Sequence, residues 1–578
     1  MSETNGAPAE QPQSLPERPK GEEEGEKGPS KNALKKAAKD KEKAEKAAKR
    51  KAAEEAQKKE SEANDVSAED YGELPMIGSK AYTAPSVPTT WVELAEIAQR
   101  YSSQSETEGV GAQIVFRAAV ENARNQSAKL SFLVFRQGAD SIQAVVAASE
   151  KLSRQMVKFA GSIPAESIVD VHAEVQRPRE PVKSTSIQHL EVHVQKLYIV
   201  SKAEAQLPLQ VADAERPIPE EGKEDQQEDE GRPIVGLATR LNNRVIDLRA
   251  RHNDAIFEIK AGVVQLFQEF LFARNFRLVQ TPKLLGAPSE GGASVFEVSY
   301  FDKKAYLAQS PQLYKQMLIA ARKERVMEVG TIFRAENSNT ARHLTEFIGL
   351  DLEMAFKEDY HEVVTLLEEL MLHIFNGLRT RYSKETDLVR SIYHVEDFKL
   401  PAAGAVPRLS FAEGIRMLKD DGVEIGEFDD LSTPDEKRLG ALVLKKYGSD
   451  FYVLDQYPLA IRPFYTMPSA ATQAAYDAKD PNAGYSNSYD FFMRGQEIMS
   501  GAQRIHDAAF LERRMKEHVA PVDPQSEGLR DYVNAFRYGC PPHAGGGIGL
   551  ERIVMLWLGL PNVRLASLFP RDPGRLMP

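Results

Sequence analysis

Hydrophobic and charged positions alternate most sharply between Val326 and Met354. Residues 326–335 predict one strand, and in the next Phe347, Gly349, Asp351 and Glu353 alternate with Ile348, Leu350, Leu352 and Met354. One face is apolar and the other charged. An antiparallel sheet with its apolar face on helices can leave such a charged face open to a ligand such as a nucleotide; the alternative is structural ion pairing. Upstream, Ile256, Ile259, Val263, Leu266, Phe267, Phe270 and Leu271 mark one face of a long helix. A short extended run follows and ends at Thr281-Pro282, where proline belongs at a sheet edge or strand end. Downstream, residues 361–382 predict a helix, 399–441 a mostly helical insertion, and 451–454 and 497–505 strands. Gly545 to Arg552 reads as glycines opening a helix through Leu558.

Nearer the N-terminus the period changes. After a short helical patch at 91–100, residues 112–120, 129–136, 141–146, 167–175 and 190–200 predict five strands, with a helix at 150–160 between the third and fourth. That order suggests an OB-fold barrel, a common reader of single-stranded nucleic acid. The expected organisation is an extension over 1–75, the barrel with its preceding helix over 76–207, a hinge over 208–240 and a larger α+β domain over 241–578, which carries the 399–441 insertion.

Composition sharpens this picture in three places. The chain has 578 residues, 42% hydrophobic and 28% charged, the profile of a soluble protein of about three or four domains. Its single cysteine, Cys540, excludes an intramolecular disulfide framework and a cysteine-based zinc site. No apolar run is long enough for a bilayer, and residues 1–10 are acidic rather than basic, so no membrane partner, signal or transit peptide is expected and the cytoplasm is the default. The net charge of −11 argues against binding nucleic acid by overall basicity, but it hides a local basic segment. Residues 1–30 should be disordered, whereas 30–59 are Lys-, Ala- and Glu-rich helix formers with Leu34 as the only large apolar residue. Lys31, Lys35, Lys39, Lys43, Lys46 and Arg50 fall at three- or four-residue steps and form a positive stripe suited to phosphates; a solvated helix or spacer is the alternative. The hinge instead gathers prolines with Glu220, Glu221, Glu224, Asp225, Glu228, Asp229 and Glu230, which would repel a phosphate backbone.

Glycines before a helix can mark a dinucleotide fold or a P-loop, but neither the strand–GxGxxG–helix unit nor GK[ST] is present. What remains is close backbone approach with Arg552 at a helix start, suited to a polyphosphate or to stacking on a purine. Taken with Arg334-Ala335-Glu336 and the Pro282 run, in this order and at these separations, the segment carries a specific likeness. The chain resembles the class II aminoacyl-tRNA synthetases, with Pro282 in the first motif, Phe333-Arg334-Ala335-Glu336 in the second and Gly549-Leu550-Glu551-Arg552 in the third. Within the class it is similar to the cytosolic eukaryotic aspartyl-specific enzymes, those of fungi in particular. The likeness covers nearly everything from residue 111 to 578. Its most specific pieces include Ser289-Glu290-Gly291-Gly292, Gln309-Ser310-Pro311-Gln312, Gly349-Leu350-Asp351-Leu352-Glu353-Met354 and Ser500-Gly501-Ala502-Gln503-Arg504.

The resemblance implies an antiparallel class II sheet flanked by helices, a homodimer through Pro282, and activation of aspartate by ATP with Mg²⁺. Two anions must then be brought together and pentacoordinate charge stabilised, so cations should surround the reacting phosphorus. In this likeness Arg334 bridges the substrate carboxylate and the α-phosphate, and Arg552 contacts the γ-phosphate and flanks adenine. Phe347 stacks on the other purine face, a core aromatic being the alternative, Glu336 receives the adenine amino group, Arg342 and His343 touch ATP or the acceptor end of the tRNA, and Leu344 and Gly549 complete the ATP site. Glu497 and Ser500 match the Mg²⁺–ATP site. Lys315 and Arg504 take the aspartate side-chain carboxylate, with Arg504 gripping both oxygens in a fork; Ser289, Glu290 and Gln312 take the ammonium. Asp351 holds the two cations in position. In the barrel, Phe132 matches an aromatic that stacks on an anticodon base of the tRNA for aspartate, while Arg124, Gln143 and Glu191 match residues that contact bases. Phe132 also alternates with Leu130 and Val134 and would suit a core. Lys31, Lys35, Lys36 and Lys39 match a basic tRNA-affinity extension. Rival readings are an asparaginyl- or lysyl-specific enzyme, a stand-alone asparagine synthetase, and an inactive tRNA-binding scaffold.

Overall fold

The computed structural model describes residues 65–75, 91–101, 110–216, 234–288, 295–393, 395–401, 405–475 and 480–578. The lysine stripe with Lys31, Lys35, Lys36 and Lys39, the acidic run 220–230, and Ser289 and Glu290 lie outside them. One compact unit ends at Ala203, and the second runs from Glu204 to Pro578.

In the first unit, strands β2 (Gln113–Ser127), β3 (Leu130–Gln137), β4 (Asp140–Ala147), β5 (Ile168–Gln176) and β6 (Ile187–Ser201) pair in the order β6-β4-β3-β2-β5, and a β5–β6 pairing closes the ring. A further short strand, β1 (Tyr71–Glu73), runs parallel to β6. This is the connectivity of an OB-fold barrel. Phe116, Phe135, Val171 and Leu197 fill its interior and are fully buried. Helix Arg154–Ala160 enters between β4 and β5, where Ser153 Oγ accepts from Met156 N at 3.1 Å and caps it. Strand β2 is longer than the hydrophobic pattern predicts because its second half, Glu121 to Gln126, is polar. Register shifts near Val120 and Asn125 bend it, so that one strand serves β5 with its first half and β3 with its second.

The second unit is built on an eight-stranded sheet in the order β13-β14-β15-β16-β17-β12-β11-β7. Its members are β7 (Arg277–Leu278), β11 (Arg325–Phe333), β12 (Glu346–Ala355), β13 (Arg408–Ser410), β14 (Phe451–Asp455), β15 (Ser488–Met493), β16 (Gln496–Gln503) and β17 (His543–Gly549). A small sheet of β8 (Leu284–Leu285), β9 (Glu297–Tyr300) and β10 (Lys303–Leu307) lies between β7 and β11 in sequence. The long strands are antiparallel; only the short β7 and β13 pair in parallel. Helices Arg251–Phe272, His361–Arg381 and Leu550–Leu558 join Leu350, Leu352, Met354 and Ile548 in one core cluster, so the apolar alternation of β12 is spent as predicted. Among the described residues no helix is long and apolar enough to cross a membrane.

Two expectations need correction. The charged face of β12 is open only in part: Phe347, Gly349 and Asp351 line a cavity, whereas Glu353 is fully buried and helix Gln312–Ala320 packs on that strand with Lys315 fully buried. The glycines at 545–549 do not open a helix but form β17 itself, and the helix begins at Leu550. Close approach is the reason. A Cβ on Gly545 would overlap the Leu352 carbonyl oxygen and the Glu353 carboxylate. Gly545→Ala should therefore lower stability by about 1–3 kcal/mol, read as a lower midpoint in chemical denaturation. The described flank of the expected hinge is packed. Leu209 and Ala214 are buried beside Ala250, and Glu215 pairs with Arg251 at 2.8 Å.

Candidate active site

A cavity of about 370 Å³ lies against the sheet of the second unit, walled by β11, β12, β16 and β17, by the loop between β11 and β12, and by residues 462–466. It gathers five arginines, Arg334, Arg342, Arg462, Arg504 and Arg552, with the carboxylates Glu336, Asp351, Glu497 and Glu551. Glu551 is already committed, to Lys260 at 2.7 Å and to the backbone N–H of Ile348 at 3.1 Å. The cavity is therefore a cationic pocket with a few placed anions.

Its outer half carries the residues expected at a nucleotide. Arg334 follows the end of β11, is 44% exposed, and lies 4.0 Å from Glu336, with its guanidinium 5.6 Å from the centre of the Phe347 ring. Phe347 itself is half-buried and packs on the core cluster. Arg552 stands in the first turn of helix Leu550–Leu558, after Gly549, and donates from Nη1 to the Glu497 carbonyl at 2.8 Å. A flat slot between two guanidinium groups and an aromatic face suits a purine. Leu344 is buried in the same wall. His343 Nδ1 meets Thr340 Oγ1 at 2.6 Å. Burial, helped by Arg552, holds this imidazole below its usual range, and Glu336 only partly opposes the shift. His343 is thus neutral near pH 7 and can hydrogen-bond without adding charge.

The inner half is an ion-pair cluster. Lys315 Nζ lies 2.9 Å from Asp351 Oδ1 and 3.7 Å from Glu353 Oε2. Arg504 Nε reaches Glu353 Oε1 at 3.1 Å, and its Nη2 reaches the Gly545 carbonyl at 3.0 Å. Gln312 Nε2 donates to Glu353 Oε2 at 3.3 Å. Burial alone would raise the Glu353 carboxyl, but Arg504 and Lys315 outweigh it and hold it below the usual range. Asp351 therefore holds only Lys315; Glu353, which the sequence reading left without a task, holds Arg504. The side-on edge of Arg504, Nε and Nη2, is likewise spent on the protein, on Glu353. Its Nη1 has no hydrogen bond among the described residues, so a ligand carboxylate would meet Arg504 end-on.

Two further residues were missed. Arg462 donates to Asp490 Oδ2 at 2.7 Å and to Ser500 Oγ at 3.0 Å, and its guanidinium stacks 3.8 Å from the centre of the Tyr457 ring. Asp490 is a carboxylate in a wholly buried strand, β15, and that isolation among Tyr489, Phe491 and Phe492 was the available signal. Burial and then the nearby Asp490 raise the Glu497 carboxyl, with Arg552 and Arg462 opposing. Asp490 Oδ1 is buried and has no hydrogen-bond partner among the described residues. Two converging carboxylates, one with an orphaned oxygen, fit a divalent cation. Among the described residues no group of three or more His, Cys, Asp or Glu could hold one alone, so phosphate oxygens would have to complete the shell.

Pro282 is exposed, near the exposed side chains of Leu278 and Leu284. In the barrel, Phe132 lies on the outer face, while its neighbours Leu133 and Phe135 point into the core. Arg124 pairs with it across β2–β3, its guanidinium 6.0 Å from the ring centre, and Gln143 Nε2 donates to Glu191 across β4–β6 at 2.9 Å. The four expected residues thus fall on neighbouring strands.

Known proteins share this arrangement. Residues 236–573 match the family model of the class II tRNA synthetases (D, K and N). The cytoplasmic aspartate–tRNA ligase of Homo sapiens is 52% identical over 462 residues, 80% of this chain and 88% of that one. A crystal structure of a putative aspartyl-tRNA synthetase from Leishmania major Friedlin is 39% identical with a TM-score of 0.78, covering 89% of this chain and 99% of that one. Asparaginyl-tRNA synthetase from Pyrococcus horikoshii, solved with asparaginyl-adenylate, is 30% identical with a TM-score of 0.65, covering 81% and 97%. The chain belongs to the class II tRNA synthetases, in the family of the cytoplasmic aspartate–tRNA ligases.

Proposed function

We infer that the chain is an aspartate–tRNA ligase, which joins L-aspartate to AMP at the expense of ATP and passes it to the 3′ end of the tRNA for aspartate. The observation that carries the substrate assignment is the inner cluster. Lys315 and Arg504, both buried, are fixed by Asp351 and Glu353, and of these Asp351 and Arg504 line the cavity, where Arg504 Nη1 is left to meet a side-chain carboxylate. Arg334, exposed in the cavity wall, would contact both the substrate carboxylate and the α-phosphate. An oxygen of the aspartate α-carboxylate attacks the α-phosphorus, and the bond to the diphosphate oxygen breaks. No side chain need act as a base, because the nucleophile is already ionised. The tRNA 3′-OH then attacks the adenylate carbonyl and AMP leaves. Intact Arg334, Glu497 and Arg552 argue against an inactive scaffold.

Glu497 and Asp490, with Ser500 beside them, would hold Mg²⁺ together with ATP. When bound, the cation neutralises phosphate charge. Ser500 already accepts from Arg462, so the orphaned Asp490 oxygen makes Asp490 the better partner for Glu497. Ser289 and Glu290 are assigned to the ammonium side with Gln312, and the exposed Pro282 region to a homodimer contact. The barrel face is assigned to the anticodon, the lysines at 31, 35, 36 and 39 to the tRNA backbone, and residues 208–240 to a hinge. Phe132→Ala should weaken tRNA binding by about 1–3 kcal/mol, roughly 5- to 150-fold, in a filter-binding or fluorescence titration, with adenylate formation unchanged. The activity itself is tested by charging. The chain, ATP, Mg²⁺ and labelled aspartate should load a tRNA pool at the 3′ end; label that stays acid-soluble under conditions where the chain binds tRNA would favour the scaffold.

A further inference from the structure

The insertion between β13 and β14 gives no residue to the cavity wall among the described residues, yet its second helix touches one that does. Helix Thr433–Tyr447 opens with a capping box, in which Ser432 Oγ accepts from Asp435 N while Asp435 accepts from Ser432 N. Just inside it, the Arg342 guanidinium donates to Thr433 Oγ1 and, at 3.4 Å, to Glu436 Oε2. The Arg342 and Glu436 side chains keep only 27% and 14% of their exposure. A cation at a helix N-terminus meets the like-signed end of the dipole, so the first-turn carboxylates Asp435 and Glu436 are what make this contact favourable.

The helix position is fixed independently of that contact. Gly440 lies so close to Gly495 that a Cβ at 440 would overlap the Gly495 backbone, and a Cβ on Gly495 would stand 2.9 Å from the Glu436 carbonyl oxygen. Gly495 forms the turn between β15 and β16, the strands that carry Asp490 and Glu497. The helix is thus registered by backbone contact to the hairpin at the metal end of the cavity and by side chains to the loop on its wall. Burial and the nearby Glu497 push the Glu436 carboxyl up to about 7, with Arg342 and Arg552 opposing, so the carboxylate needs Arg342 as much as Arg342 needs it.

We propose that Glu436 and Thr433 are positioning residues for ATP: they hold Arg342 from behind, so that its guanidinium is set in the cavity wall before the nucleotide arrives. The inference rests on the reading of the cavity as an ATP site. Leaving one long side chain to be ordered by the ligand costs about three- to tenfold in affinity. The test is calorimetric titration with MgATP alone of the unsubstituted chain, Glu436→Gln, Thr433→Val, Arg342→Ala and the double variant Arg342→Ala/Glu436→Gln. It runs beside KM for ATP and for aspartate in diphosphate exchange. Glu436→Gln and Thr433→Val should each weaken ATP about three- to tenfold and leave KM for aspartate within about twofold. The double variant should bind ATP no more weakly than Arg342→Ala alone, because the three residues act as one unit. Thr433→Val keeps the test available if Glu436→Gln folds poorly. Additive losses in the double variant, equal losses for both substrates, or unchanged ATP affinity would overturn the proposal. A chain that binds ATP but activates no aspartate would sink the proposed function and leave this titration readable; one that binds no ATP overturns both.

Discussion

Arg504→Leu should abolish aspartate activation and destabilise the fold at the same time. Arg504 is 5% exposed, and its guanidinium meets Glu353, itself fully buried, at 3.1 Å. Leucine has no charge to return, so Glu353 keeps only Lys315 at 3.7 Å and Gln312 at 3.3 Å. Breaking a buried pair by removing one partner costs about 3–5 kcal/mol, and the remaining Lys315 puts this case at the lower end. The substrate loses the guanidinium Nη1 that faces the cavity, so exchange with aspartate should fall below detection. Binding of tRNA, which the account assigns to the barrel and the basic extension, should change little at temperatures where the variant is folded. Loss of tRNA binding at those temperatures would recast Arg504 as a residue of the fold alone.

Arg334→Gln should do the reverse, removing activity with little effect on stability. Arg334 is 44% exposed, and its one ion pair, to Glu336, spans 4.0 Å. Exposed pairs of that length contribute about 0–1 kcal/mol, so the denaturation midpoint should barely move. On the proposed reading Arg334 would lie between the α-carboxylate and the α-phosphate and stabilise the extra charge that develops at phosphorus in the transition state. Removing such a donor lowers kcat by a factor on the order of 10² to 10³. KM for ATP should shift far less than kcat. A variant with normal kcat and raised KM would mean that Arg334 binds the ground state and the transition state equally.

The contrast between these two arginines shows what the sequence could and could not reveal. The alternation in β12 located Asp351 and Glu353, and the likeness of the surrounding motifs located Arg334, Arg504 and Arg552. Which carboxylate holds which cation depends on the pairing of β12 with β17 and on helix Gln312–Ala320 lying over them, and no local pattern contains that. For the same reason the strand face read as open proved open at Phe347, Gly349 and Asp351 and buried at Glu353. Glycines 545–549 looked like a loop before a helix because nothing in their own sequence shows that Leu352 and Glu353 press against them. Arg462 and Asp490 were overlooked for a different reason: each sits in a stretch whose other residues are apolar, and they become a site only when the segment after Leu459–Ile461 lies against β15 and β16. The barrel was more legible, since its strands follow a period of two. Even there the polar second half of β2 was lost, because bending, not burial, keeps it in the sheet.

The central claim is that the closed end of the cavity is built for a second carboxylate, and amino-acid-dependent exchange of labelled diphosphate into ATP tests it most directly. With the unsubstituted chain, Mg²⁺ and ATP, and each amino acid supplied in turn, aspartate should drive exchange. Asparagine, which offers Arg504 Nη1 an amide in place of a carboxylate, should be slower by a factor on the order of 10⁴. Exchange driven by asparagine or lysine and not by aspartate would contradict the account.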